Sequence, residues 1–491
     1  MDRTLILLLI LLYFGTLLLI SWFIGKKHSE NAAFFLGNRK SPWYIVSLGM
    51  LGSSLSGVTF VSVPGMVIAT NMTYMQMALG FLLGYVVIVF ILLPLYYKLN
   101  VTSIYSYLDA RIGRRAYKTG AGFFLLSRTL IASVRLYVAV LILHTCFFSA
   151  WRIPFGITSA CFLLMMWLYT HKSGVKALIW TDLLQTCFLI AALIIIIRQV
   201  TLSLDLDFSS LVSSVQASPH AQIFVFDDWH SKQNFFKLLI SGCFVTIAMT
   251  GLDQEMMQKN LSCKNLREAR KNVATYSFFF LPVNFLFLCL GILLVNYMSV
   301  NGIDMPLSAE GNVDGDAILP MLVTAGNFGV PAIIFFILGI IAVTFASADS
   351  ALTGLTTSIC IDFLNISGYE EKKAKRIRLT VHLAVSLIFI GIMLLFRIIN
   401  NTSVIDAIYI IASYAYGPLL GLFAFGILCK RQTSDKAVPY ICVVSPVLCF
   451  AANTILKATI NYQFGYELLI VNASLVVIGL LLFSKKVYNC E

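Results

Sequence analysis

The sequence predicts an all-α integral membrane protein of about thirteen transmembrane helices. Three observations carry that prediction. Of 491 residues, 59% are hydrophobic and only 12% charged, with a mean hydropathy of +0.87; soluble domains carry about 25% charged and roughly 45–50% apolar residues. Apolar runs long enough to cross a bilayer recur to the end of the chain. None of them breaks into the short segments of alternating polarity that mark a membrane β-barrel. The composition excludes an ordinary soluble enzyme, a disordered chain and a nucleic-acid-binding protein. The net charge of +12 is accounted for by the Lys and Arg of cytoplasmic loops.

The first run, Thr4 to Gly25, has no small-residue cleavage site, and Lys26 and Lys27 follow it instead of preceding it. It reads as a retained span, not as a secretory signal. The remaining runs cover 42–69, 73–98, 119–148, 155–170, 176–199, 233–252, 272–298, 330–358, 378–398, 404–428, 437–457 and 465–485. Alternate loops are basic. They carry Arg39 and Lys40; Arg111, Arg114, Arg115 and Lys118; Lys172 and Lys176; then Lys259, Lys264, Arg267, Arg270 and Lys271. Further basic loops follow at Lys372 to Arg378, at Lys430, Arg431 and Lys436, and at Lys485 and Lys486. The loop 299–329 instead holds Asp304, Glu310, Asp314 and Asp316 and no Lys or Arg. The positive-inside rule then predicts an extracytoplasmic N-terminus and a cytoplasmic C-terminus.

Eleven cysteines form no CxxC pair and no Cys/His cluster with zinc spacing. Most, such as Cys146, Cys187, Cys289 and Cys442, lie inside apolar runs, where a free thiol behaves as a small hydrophobe. No Walker, HExxH or GxSxG motif occurs. No catalytic residue and no transition-metal site is expected.

Ionisable groups inside spans are costly and mark function by default. Arg128, Arg135, Asp182 and Asp349 are such groups. The second span contains Gly52-Ser53-Ser54-Leu55-Ser56-Gly57 near its middle. Two glycines and three serines make poor continuous helix. A break there frees carbonyls, which are tolerated only against a protein-lined cavity and are good hard-oxygen ligands for a small cation. The alternative is a helix interface lined by small residues. The ninth span carries Phe345-Ala346-Ser347-Ala348-Asp349-Ser350, and the sixth opens with Trp180-Thr181-Asp182 and Gln185. Carboxylates and hydroxyls without imidazole or thiolate suit a hard monovalent cation. Asp182 also reads as a helix-start acid opposing the macrodipole.

In these residues the chain resembles the sodium:solute symporters. The resemblance is also carried by Phe35-Leu36-Gly37-Asn38-Arg39 before Pro42-Trp43 and by Thr102 to Leu108 with Arg111 and Gly113. Asp253-Gln254 with Gln258, and Tyr416-Gly417-Pro418-Leu419-Leu420-Gly421, complete it. It implies a LeuT-type fold of two inverted five-helix repeats, the first helix of each repeat broken. The chain is then one membrane transporter domain over 1–491. An extra helix occupies 4–25, the first repeat 42–199, the second 233–428 and two extra helices 437–485. The second break is expected near Ser241-Gly242.

The resemblance further implies a common sodium site on the carbonyls of Gly52, Leu55 and Val343, on Ala346 and on the Ser347 hydroxyl. Ala346 stands where the family carries a hydroxyl, so one ligand oxygen is lost. A second cation site would use Asp182, Ser347, Asp349 and Ser350, with Asp349 restoring charge. Sialic-acid members pair a midplane Arg with the substrate carboxylate. The matching residues are Arg135, Ser54, Ser56, Thr59 and Gln76. Arg128 and Arg135 could instead form structural pairs with Asp182 or Asp349.

The expected function is sodium-coupled secondary active symport across the cytoplasmic (inner) membrane. The solute would be small and polar or anionic: sialic acid, another sugar acid or carboxylate, a sugar or an amino acid. The partners are sodium, the solute and the lipid bilayer, with no nucleic acid. No cofactor is expected beyond sodium as the coupling ion. The competing expectation is a symporter-like sensor or regulatory module without net transport, against which the lack of a cytoplasmic domain after the last span argues.

Overall fold

The computed structural model describes residues 3–25, 31–171, 174–308, 311–399 and 404–485. Lys26, Lys27, Lys172, Glu310 and Lys486 lie outside the described residues. The chain opens with α1 (Arg3–Gly25), then α2 (Trp43–Ser54), α3 (Gly57–Gly65) and α4 (Tyr74–Leu99). Next come α5 (Arg114–Phe148), α6 (Phe155–Thr170), α7 (Gly174–Ser203), α8 (Phe235–Gly251), α9 (Gln254–Leu261) and α10 (Leu266–Asn301). The short α11 (Gly315–Thr324) precedes α12 (Gly329–Phe363) and α13 (Glu371–Ile398). The last elements are α14 (Ile408–Ala415), α15 (Gly417–Leu428), α16 (Val438–Ile460) and α17 (Leu468–Leu482).

Among the described residues, eight helices are long and apolar enough to cross a membrane alone, and counting each bent pair as one span raises this to eleven. The bent pairs are α2/α3 at 58°, α8/α9 at 66° and α14/α15 at 44°. Among the described residues the helical prediction holds, apart from a two-residue antiparallel pairing of Gln432–Thr433 with Ser484–Lys485 and isolated bridges between Ser41 and Cys263 and between Leu307 and Val313.

Close approach of backbones positions the broken helices. A Cβ at Gly80 of α4 would lie 2.1 Å from the Leu239 carbonyl, and one at Gly242 of α8 would lie 2.3 Å from the Met77 carbonyl. Small residues on both helices let them pack without side chains between them. This corrects the expected position of the second break. Ser241-Gly242 lies inside an unbroken helix, and its glycine serves packing. The chain bends ten residues later, where the helix widens into a π-turn over Ile247–Gly251 and Leu252 donates its amide to the Ile247 carbonyl (2.9 Å). Asp253 then takes an extended backbone, and its Oδ1 accepts the amides of Glu255 (2.9 Å) and Met256 (3.3 Å), capping α9.

Candidate functional site

The α2/α3 break is shaped by its serines. Leu55 and Ser56 leave the helix for extended backbone. The Ser56 amide donates to Thr59 Oγ1 (3.1 Å) and the Thr59 amide to Ser56 Oγ (3.4 Å), a reciprocal capping box. In an unbroken helix those two amides would bond the carbonyls of Gly52 and Leu55. The box therefore releases the two carbonyls that the resemblance assigns to sodium. Thr344 of α12 stands beside this junction, with its Oγ1 3.1 Å from where a Gly57 Cβ would be. One turn on, the Ser347 hydroxyl donates to the Val343 carbonyl (3.1 Å) and the Thr344 carbonyl (3.3 Å). Its oxygen lone pairs stay free to accept a cation. Ala346 is fully buried and offers only main-chain oxygen.

Around Asp182 the arrangement has a member that sequence reasoning placed elsewhere. The charge pattern assigns Lys259 of α9 to a cytoplasmic loop, yet its side chain is 2% exposed. Its Nζ donates to Asp182 Oδ2 (2.7 Å), Ser53 Oγ (2.5 Å) and Ser350 Oγ (2.7 Å). Ser53 Oγ also lies 3.1 Å from Asp182 Oδ2. Asp349 is turned away from this cluster. Its Oδ2 accepts the Tyr169 hydroxyl of α6 (2.7 Å), and its buried Oδ1 has no protein partner. Of the four residues expected at a second cation site, Asp182 and Ser350 thus meet at Lys259. Ser347 bonds within its own helix, and Asp349 faces Tyr169.

The two arginines of α5 have different fates. Arg128 forms ion pairs with Glu255 and, at 3.8 Å, with Asp253 Oδ2. Tyr416, between α14 and α15, donates to the same Asp253 oxygen (2.6 Å). The structural pairing expected of Arg128 is therefore real, but with partners on α9 and its cap instead of Asp182 or Asp349. Arg135 belongs to none of the four ion pairs among the described residues. Its Nε is buried without a hydrogen-bond partner.

Both arginines line a cavity, together with Ser54, Ser56 and Thr59 from the first break. Thr246, Met249, Thr250 and Met256 from the second break form part of the wall, with Tyr74, Tyr276 and Tyr409. Ser54 Oγ accepts the Tyr276 hydroxyl (2.6 Å). Gln76 is not in this wall. Its amide is consumed by the 222–234 segment, donating to the Gln233 carbonyl (2.9 Å) and accepting the Val225 amide (3.1 Å). An amphiphilic cavity with hydroxyls and one unpaired guanidinium suits a small polar anion, since the fork matches a carboxylate.

Sequence reasoning also missed Glu255, and it had Asp253, Gln254, Gln258 and Tyr416 without a role. Gln254 bridges the Thr102 carbonyl (2.8 Å) and the Ile104 amide (2.9 Å). Gln258 donates to the Phe35 carbonyl (2.5 Å) and to Thr357 Oγ1 (3.0 Å). The signal was available in α9 itself: a polar segment directly continuing an apolar span.

Known proteins match this chain along most of its length. The model of the sodium:solute symporter family matches residues 34–439. The sodium/sialic acid symporter SiaT of Proteus mirabilis is 24% identical over 461 residues, covering 90% of this chain and 88% of that one. The sodium/sialic acid symporter NanT of Aliivibrio fischeri is 25% identical over 444 residues, covering 87% and 83%. Among solved structures, a substrate-bound, outward-open Na+-coupled sialic acid symporter shares the fold. Its TM-score is 0.83 at 18% identity, over 98% of this chain and 99% of that one. By its sequence and its helical architecture, the chain belongs to the sodium:solute symporter family and is a sodium-coupled, multi-pass membrane transporter, not an enzyme.

Proposed function

We propose that this symporter imports a small carboxylate-bearing solute, with a sialic acid or another sugar acid first among the candidates. The observation that carries the reading is Arg135, at the cavity without an ion pair among the described residues while its neighbour Arg128 is ion-paired with Glu255 and Asp253. The two sialic acid relatives support it. Ser54, Ser56 and Thr59 supply hydroxyls on the facing wall. Sodium binds at the released carbonyls of Gly52 and Leu55, the Val343 and Ala346 carbonyls and the Ser347 hydroxyl. Sodium there holds the two halves of the broken helix against α12 and raises solute affinity, and linkage makes that coupling reciprocal.

In this reading α6 and α17 also cross the membrane, giving thirteen spans. The α2/α3 and α8/α9 breaks open two inverted five-helix repeats. The protein sits in the cytoplasmic membrane with its N-terminus outside and its C-terminus inside. Nothing in the transport cycle requires a cofactor.

The test is uptake into proteoliposomes of a panel of sugars, amino acids, sialic acid and simple carboxylates, with and without a sodium gradient. Arg135→Lys keeps the charge and loses the planar fork. It should raise the half-saturation for the acid by roughly 10- to 100-fold, the loss of a charge-assisted hydrogen bond. Arg135→Ala should abolish saturable uptake while sodium binding persists. Uptake of neutral solutes alone, unaffected by either substitution, would refute the assignment of a carboxylate.

A further inference from the structure

We infer that the Lys259 ammonium is the permanent occupant of the second cation site, so that the protein binds one sodium ion and not two. The inference rests on the proposed sodium site between α2 and α12 and adds the count of ions. An ammonium has three N–H donors and no acceptor. Here each donor has an oxygen within 2.5–2.7 Å, from Asp182, Ser53 and Ser350. These oxygens come from α7, α2 and α12, and the ammonium itself from α9. All of the groups are buried, with Lys259 at 2%, Ser350 at 1%, and Asp182 and Ser53 at 0% exposure.

Charge supports the same conclusion. Among the described residues, Asp182 is the one carboxylate within ion-pair distance of this ammonium. A sodium ion added beside it would place two positive charges on one negative charge in a buried site, which is strongly disfavoured. Asp349, the other carboxylate expected at this site, forms no ion pair with the ammonium; its Oδ2 accepts the Tyr169 hydroxyl instead. The hydroxyls that would replace a hydration shell are already spent on Nζ. The ammonium is tethered, so it does not have to be captured from solution in each cycle.

The test counts sodium directly, with no need to know the solute. Purified full-length protein is titrated with ²²Na⁺, and bound ions per chain are measured. The wild type should bind one sodium without cooperativity. Lys259→Met removes the ammonium and keeps the chain length, and should bind two. Lys259→Met combined with Asp182→Asn is neutral at that position and should return to one. Two ions bound by the wild type would overturn the inference and leave the first site standing. A folded Lys259→Met protein that still binds one ion would overturn it as well. Should Lys259→Met fail to fold, the wild-type count decides alone. No sodium bound by the wild type would instead refute the proposed first site.

Discussion

Gly52→Ala is the smallest change that tests whether α2 and α7 must touch for sodium to bind. The added Cβ would stand 2.2 Å from Thr186 Oγ1, 3.2 Å from its Cβ and 3.3 Å from its Cα. The hydroxyl cannot swing aside freely, because it serves the carbonyls of both Leu48 (2.8 Å) and Asp182 (2.7 Å). Ordinary contact begins near 3.4 Å, so the helices must separate by about 1.2 Å or the hydroxyl must give up its partners. Overpacking of this kind costs about 1–3 kcal/mol. The displaced residue carries a proposed sodium ligand and neighbours Ser53, which bonds Asp182. Part of the cost should therefore appear as weaker sodium binding, at most a ~150-fold rise in half-saturation. Thr186→Ala removes the 2.2 Å contact and leaves one of 3.2 Å, so the double variant should recover most of the loss. Gly122→Ala is the control, because nothing lies within 4 Å of its Cβ. It should be neutral or gain up to ~1 kcal/mol of helix propensity. The measurements are detergent melting midpoints and sodium half-saturation of uptake. A Gly52→Ala protein with wild-type values of both would refute the close-packing argument.

Tyr416→Phe removes a 2.6 Å hydrogen bond to Asp253 and should destabilise the protein by about 1.5–3 kcal/mol. The loss should be visible as a lower melting midpoint, and an unchanged midpoint would show that the bond contributes nothing. Burial pushes the Cys263 thiol up to about 12, and the thiolate is the reactive form. A maleimide at neutral pH should leave Cys263 unmodified in the folded protein and label it after denaturation, which peptide mapping reads directly.

What was legible in the sequence, and what was not, divides at α9. Gly52 to Gly57 announced a break because glycines and serines interrupt an apolar run, and no soluble-loop reading competes in mid-span. The second break has no such interruption. Thr250-Gly251-Leu252-Asp253 looks like the ordinary end of a span, and Gln254 to Leu261 looks like the cytoplasmic loop after it. Hydropathy assigns a polar segment to water. Here Glu255, Gln258, Lys259 and Asn260 are buried because each meets a partner on another element: Arg128, Thr357, Ser350 and Asn272 respectively. Such pairing is long-range, up to 223 residues between Gln258 and Phe35, and leaves no local pattern. Lys259 was further hidden because it agreed with the charge rule for loops. Arg135 was legible as an intramembrane charge, but its lack of an ion partner became visible only when Arg128 was seen with Glu255.

The two-turn helix α9 has a mechanical consequence. Three bent spans have three hinge angles, which could in principle vary independently. Asp253, at the hinge before α9, is bonded to Tyr416 at the hinge of α14/α15. Lys259, near the other end of α9, is bonded to Ser53 just before the hinge of α2/α3. Between them, Gln254, Glu255 and Gln258 fasten the same short rod to the 102–104 segment, α5 and α12. One rigid body therefore touches all three joints, and turning any one of them drags on the other two. A bundle linked in this way has fewer degrees of freedom than its joints suggest. Its opening to one side of the membrane is then stiff against half-measures, and an ion that shifts one joint acts on all three together.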